Sequence, residues 1–151
     1  MTTISLIKEG QMIEPAATRS LVIEREMPHS PEKIWRALTE APLIEQWLMK
    51  NDLQPVVGHR FNFRSTPVPQ WDGIIESEVL VVEPHSRLSY RWASMGLETV
   101  VTWTLTPTID GTHVRMEQIG FRSEEDRAYK GAKYGWTNFI GNLERVAGEL
   151  D

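Results

Sequence analysis

Five successive stretches between Arg60 and Gln118 alternate apolar and polar residues with a period of two. Phe61 and Phe63 alternate with Arg60, Asn62 and Arg64. Ile75, Ser77, Val79 and Val81 alternate with Glu76 and Glu78, and Leu88, Tyr90 and Trp92 with Ser89 and Arg91. Val101, Trp103 and Leu105 alternate with Thr102, Thr104 and Thr106; Val114, Met116 and Gln118 alternate with His113, Arg115 and Glu117. Such a period places one set of side chains on each face of a strand, so these stretches predict a sheet with a single apolar face. That face needs a cover. The C-terminal stretch supplies one: Ala132, Trp136, Phe139, Ile140, Leu143, Val146, Ala147 and Leu150 recur at helical spacing. Ser123 reads as the N-cap of this helix, and Glu124, Glu125 and Asp126 suit its positive end. The expectation is an α+β domain of two layers in which the sheet curls around one long helix.

The rest of the chain fits that frame. Leu21 to Met27 reads as a further strand at one edge, with Leu21, Ile23 and Met27 inward and Glu24 and Glu26 outward. Arg25 falls on the apolar side, where it should snorkel or pair with a carboxylate. Ser30-Pro31-Glu32 is a helix start, and Pro42 divides Ile34, Trp35 and Leu38 from Leu43, Ile44 and Trp47, giving two short helices. Asp110-Gly111 reads as a two-residue turn, which pairs Ile109 with Thr112, Leu105 with Met116 and Trp103 with Gln118. The turn from Pro84 to Arg87 pairs Val81 with Tyr90 and Val79 with Trp92. Gly131 and Gly135 lie on one flank of the long helix and predict a close approach of its backbone to the sheet, or to something held between them. Residues 1–18 read as a frayed arm, with an added strand or a homodimer contact as alternatives; residues 19–151 form the expected domain.

Composition mainly excludes. There is no cysteine, so disulfides, thiolate catalysis and Cys-based zinc sites are out. His29, His59, His85 and His113 are scattered without metal-ligand spacing, and neither metal nor cofactor is expected. A net charge of −5 offers no basic stripe for nucleic acid. No apolar run is long enough to cross a membrane, and the N-terminus lacks the basic and apolar regions of a signal peptide. A cytoplasmic protein is expected. The six tryptophans are the positive signal, because a large ring with one N–H often walls a cavity or an interface.

The segments IEREMPHSPEKIWRALTEAPLIEQWL, GIIESEVLVVEPHSRLSYRW, VTWTLTPTIDGTHVRMEQIGF and the Gly135-Trp136 region through FIGNLERVAGEL follow one another in a familiar order. Over residues 20–150 the chain resembles the START-like superfamily, also called SRPBCC or Bet v-like. Within it, the chain is similar to homologues of the C-terminal domain of the activator of the heat-shock chaperone ATPase. The resemblance implies a helix-grip fold, with a curved antiparallel sheet of six to seven strands around the C-terminal helix. It also implies a stress-response or co-chaperone setting. The chain matches only that C-terminal domain, which weakens the chaperone expectation. The fold hosts carriers, cyclases, receptors and co-chaperones, so function has to be argued from the site.

Parity places Phe61, Phe63, Ile75, Ser77, Tyr90, Trp92, Val101, Trp103, Met116 and Gln118 on the face toward the helix, with Trp136, Phe139 and Ile140 facing back. Trp47 and Trp71 are candidates for the rim. Apolar walls with Ser77, Tyr90 and Gln118 as polar groups describe a site for a small hydrophobic molecule; the competing reading is a filled core. Gln118 is the sharpest residue, because a buried amide must find partners among Trp103, Tyr90 or water, or orient a ligand. An enzyme of the cyclase or dehydratase kind would need an enclosed acid, for which Asp72 and Glu98 are the candidates near strand ends. The outer face carries Arg60, Arg64, Glu76, Glu78, Arg91, His113, Arg115 and Glu117. These read as cross-strand ion pairs in solvent, with a chaperone-binding patch as the alternative.

Overall fold

A computed structural model describes residues 18–151. The readings made of the N-terminal arm therefore fall outside the described residues, apart from Thr18. Strand β1 (Thr18–Met27) leads into helices α1 (Pro31–Thr39) and α2 (Ala41–Trp47). Then come β2 (Lys50–Asn51), β3 (Arg60–Arg64), β4 (Ile74–Glu83), β5 (Arg87–Ser94), β6 (Leu97–Pro107) and β7 (Thr112–Arg122). A 3₁₀ turn (Ser123–Glu125) precedes helix α3 (Asp126–Gly148). The seven strands form one antiparallel sheet in the order β1-β7-β6-β5-β4-β3-β2. As predicted, β1 lies at an edge and α3 covers the apolar face.

The helix starts follow local chemistry in one case and not the other. Ser30 caps α1, its hydroxyl accepting from the Lys33 N–H at 3.3 Å, with Pro31 in the first turn. Ser123 does not cap α3. It begins the 3₁₀ turn, and the Glu125 carboxylate instead accepts the Arg122 N–H at 2.7 Å and pairs with the Arg122 guanidinium at 2.8 Å. Arg25 finds its carboxylate on α3, 2.6 Å from Glu144.

Both hairpin registers differ from expectation. The β6–β7 strands pair Pro107 with Thr112, Leu105 with Val114, Trp103 with Met116 and Val101 with Gln118. This is a shift of two, which keeps inward residues opposite inward residues. The loop is four residues, closed by the Thr108 N–H on Gly111 O at 2.9 Å, and leaves Ile109 fully exposed. Thr112 is anchored by its hydroxyl on His29 O at 2.7 Å. Gly111 presses on the end of β1, where any Cβ would collide with Met27 O. In the β4–β5 hairpin Val79 faces Tyr90, but a bulge between Val79 and Val81 sets Val81 opposite Ser89 and Val82 opposite Leu88. Val82, not Val81, consequently joins the core.

Candidate functional site

The predicted inward residues are nearly all buried, and most meet one another. Trp47 packs edge-on to Trp103 with ring centroids 5.6 Å apart, Trp103 on Trp136 at 5.8 Å, and Trp136 on Trp92 at 5.0 Å. Phe63 continues the chain from Trp92 at 5.1 Å, and Phe61 packs on Phe63 at 5.1 Å. Four tryptophans do converge on one space between sheet and helix, and their rings fill it. Val101, Met116 and Ile140 are buried in the same cluster. This part of the predicted site is packed core.

An opening remains at one end of the layer. A cleft of about 750 Å³ is lined on the sheet side by Trp71, Ile75, Trp92, Ser94, Met95, Leu97 and Gln118, with Gln70 beside them. On the other side lie Glu124, Glu125 and the first turns of α3, through Arg127, Ala128, Gly131 and Ala132. Beyond Arg127, the helix residues there are small. A Cβ built on Gly131 would meet nothing within 4 Å, and one on Gly135 only the Phe139 ring at 3.6 Å. These glycines are thus not required by a close backbone approach to the sheet; Gly131 instead borders open space. Trp71 is held at the rim by a short Val68–Trp71 bridge in the Pro-rich loop. Its indole N–H donates to Ser94 Oγ at 2.8 Å, and Ser94 Oγ donates to Ile74 O at 3.0 Å.

Gln118 stands at the floor of this cleft with no exposed surface. Its partners are not Trp103 or Tyr90. Its oxygen accepts from Trp136 Nε1 at 2.7 Å, and its nitrogen donates to Thr99 Oγ1 at 3.0 Å. Thr99 Oγ1 donates onward to the Trp92 carbonyl at 2.7 Å. Tyr90 instead accepts from Trp103 Nε1 at 3.0 Å, and burial pushes its phenol well above its ordinary pKa, so it stays protonated. The Trp47 indole donates to Ala37 O at 2.8 Å. Among the described residues, Trp92 has no acceptor for its indole N–H. Ser77 is buried with an unpartnered Oγ. Together with Phe61 it borders a second, charged groove over β3 and β4, lined also by Asp52, Arg60, Glu76 and Arg91.

The two acid candidates lie elsewhere. Asp72 accepts the Ile74 N–H at 3.0 Å, shaping the turn into β4. Glu98 binds Arg91 on the outer face through two bonds of 2.7 and 2.8 Å, and that guanidinium holds its carboxyl below the ordinary range. At the cleft mouth Glu125 is held low in the same way by Arg122. The outer face is paired as predicted: Arg60 with Glu78 at 3.5 Å, Arg64 with Asp52 at 3.6 Å, and Arg91 additionally near Glu76 at 3.9 Å. His113 lies between Glu24 and Glu26 of β1. No helix among the described residues is long and apolar enough to cross a membrane.

A curved antiparallel sheet, two short helices after its first strand and a long helix gripped across its apolar face define the Bet v-like helix-grip class. Within that class, the model of the Activator of Hsp90 ATPase homolog 1-like protein family matches residues 28–148, and the chain belongs to this family. The crystal structure of protein MLL2253 from Mesorhizobium loti is similar at 52% identity and a TM-score of 0.82, covering 88% of this chain and 99% of that one. The solution structure of BH1534 from Bacillus halodurans is similar at 24% identity and a TM-score of 0.73, covering 85% and 96%. DynU16, a protein of the dynemicin biosynthetic locus, shares 26% identity with a TM-score of 0.69; the match covers 89% of this chain and 48% of that one. No curated protein matches the chain.

Proposed function

We propose that this protein binds a small apolar molecule in the cleft between the β4–β7 sheet surface and the first turns of α3. The carrying observation is a contrast within one layer. From Trp47 to Ile140 the space is filled by interlocked rings, whereas beside Ala128, Gly131 and Ala132 about 750 Å³ stays open over Trp71, Ile75 and Trp92. That volume falls in the range of about 300–1,000 Å³ usual for small-molecule sites, with the usual mixture of apolar wall and few polar groups. The likeness to a protein of a biosynthetic locus supports a small-molecule role. An acid–base enzyme would need a free carboxyl at the floor, and Asp72 and Glu98 are engaged outside it. A co-chaperone role would use the outer face, where Arg64 and Arg91 are already engaged by carboxylates.

The test is a titration with 1-anilinonaphthalene-8-sulfonate, an aromatic fluorophore with a sulfonate that can stay in water, followed by its emission and by thermal shift. Saturable binding that weakens about tenfold or more in Ala132→Trp, but not in the distant Phe61→Leu, supports the reading. Absence of binding, or binding indifferent to Ala132→Trp, refutes it.

A further inference from the structure

Two residues other than glycine take a left-handed backbone among the described residues, His85 at φ 66° and Met95 at φ 46°. Histidine visits this region more readily than most side chains, and the His85 ring meets Trp35 edge-on with centroids 6.2 Å apart. Neither account applies to Met95. Ser94 pairs with Leu97, so Met95 and Gly96 make a two-residue turn, and Gly96 is also left-handed at φ 91°. Two positive φ values are the pattern of a type I′ turn, which favours Asn, Asp or Gly at its first position. A short polar side chain, or none, tolerates that backbone best. Met95 is moreover 66% exposed, so little packing in the free protein offsets its conformation.

This turn stands at the mouth of the cleft. Met95 and Leu97 border the opening from the sheet side, and Glu125 borders it from the helix side. The turn is braced on both flanks. Ser94 Oγ holds the Trp71 indole and the Ile74 carbonyl, and the Gly96 carbonyl accepts from Arg122 Nη2 at 3.3 Å. The same Nη2 donates to Glu125 at 2.8 Å, so Arg122 joins the turn to the segment that leads into α3. With the backbone held, the Met95 side chain is the adaptable part of the mouth, an unbranched chain of three rotatable bonds ending in a polarisable thioether.

We infer that Met95 is a ligand-contacting residue of the cleft, whose side chain leaves water to lie over an apolar molecule held beside Trp71 and Leu97. Its backbone conformation then serves that contact and not the fold. This rests on the cleft-binding reading above and adds that the bound molecule is apolar as far as the turn. The polar residue that the turn itself would favour would leave that end of the molecule facing water.

Thermal unfolding of the full chain, and its titration with the uncharged apolar fluorophore N-phenyl-1-naphthylamine, test this. Met95→Asn suits the turn and should raise Tm by about 2 °C or more. It also removes the apolar cover, and should weaken the probe about fivefold or more. Met95→Leu keeps an apolar side chain on the same backbone, and should leave Tm within about 1 °C and affinity within about twofold. A surface residue without a role would move Tm alone. If Met95→Asn lowers Tm, the side chain already packs in the free protein; if it leaves affinity unchanged, the side chain never meets the ligand. Either result overturns the assignment of Met95, and the cleft reading still stands where Ala132→Trp weakens the probe. Probe binding that is absent, or indifferent to Ala132→Trp, overturns both.

Discussion

Gly131 separates the requirements of the helix from those of the cleft. It is the sixth residue of α3, an interior position where glycine is less favourable than alanine by about 1 kcal/mol, through backbone entropy. Nothing lies within 4 Å of a Cβ built there, so Gly131→Ala meets no steric cost that would offset this gain. The expected result is a stabilisation of about 1 kcal/mol, or about 3 °C in Tm for a chain of this size. One methyl in a space of about 750 Å³ should leave probe affinity within about twofold. Gly131→Trp keeps part of the helix gain but puts a large ring into the opening, and should weaken binding about tenfold or more. Stability is read from urea unfolding and thermal scans, and affinity from 1-anilinonaphthalene-8-sulfonate titration. If Gly131→Ala lowers Tm, the helix does approach something closely there and the cleft geometry is wrong. If Gly131→Trp binds as the parent does, the probe sits elsewhere.

Two further outcomes follow from buried and paired polar groups. Ser77→Ala removes a buried hydroxyl with no partner and should be neutral or stabilising by up to about 1 kcal/mol in urea midpoint terms; a clear loss would mean that Oγ is bonded after all. His113 places both ring nitrogens on carboxylates, Glu26 and Glu24, which favours the doubly protonated ring and raises its pKa above the ordinary value, with Arg115 the next charged group on β7. A raised folded-state pKa means a contribution fully present below about pH 6.5 and lost as pH rises through the folded value. The stability gap between the parent and His113→Gln should therefore be largest near pH 6, remain below about 1 kcal/mol because the pair is half-exposed, and close by pH 9. A gap independent of pH would refute the pairing.

The fold was legible because its signals are redundant. Period-two stretches, the Ser30-Pro31 helix start and one amphipathic C-terminal stripe agree on a sheet gripped by a helix. The registers were less legible, and for a physical reason. Side-chain parity penalises a shift of one residue and is blind to a shift of two. Asp110-Gly111 looked like a complete turn, but Gly111 answers to the close approach of Met27 O, and Thr112 to the His29 carbonyl; these contacts are with the end of β1 and the turn after it, more than eighty residues earlier. The β4 bulge was hidden because Val79, Leu80, Val81 and Val82 are all apolar, so the sequence does not mark where the pleat slips.

The site is a harder case, because parity identifies which residues face inward and not how much room they leave. The structure places Trp71, Ile75, Trp92 and Gln118 along one opening, while Phe61, Phe63, Trp103 and Trp136 occupy the space that they were expected to surround. The missing half of the cleft, on α3, did leave a trace. Along the helix, Ala128, Gly131 and Ala132 are followed by Trp136, Phe139 and Ile140, a step from small to large within three turns. Helix and sheet are rigid elements, so side chains this unequal cannot fill an even gap, and the small end must stand open or be filled from the sheet. Met95 and Leu97 at the β5–β6 turn border that end without closing it, and Met95 remains largely exposed. A taper in side-chain size along an amphipathic stripe is therefore the sequence feature that locates the opening, and the tryptophans mark where the packing stops.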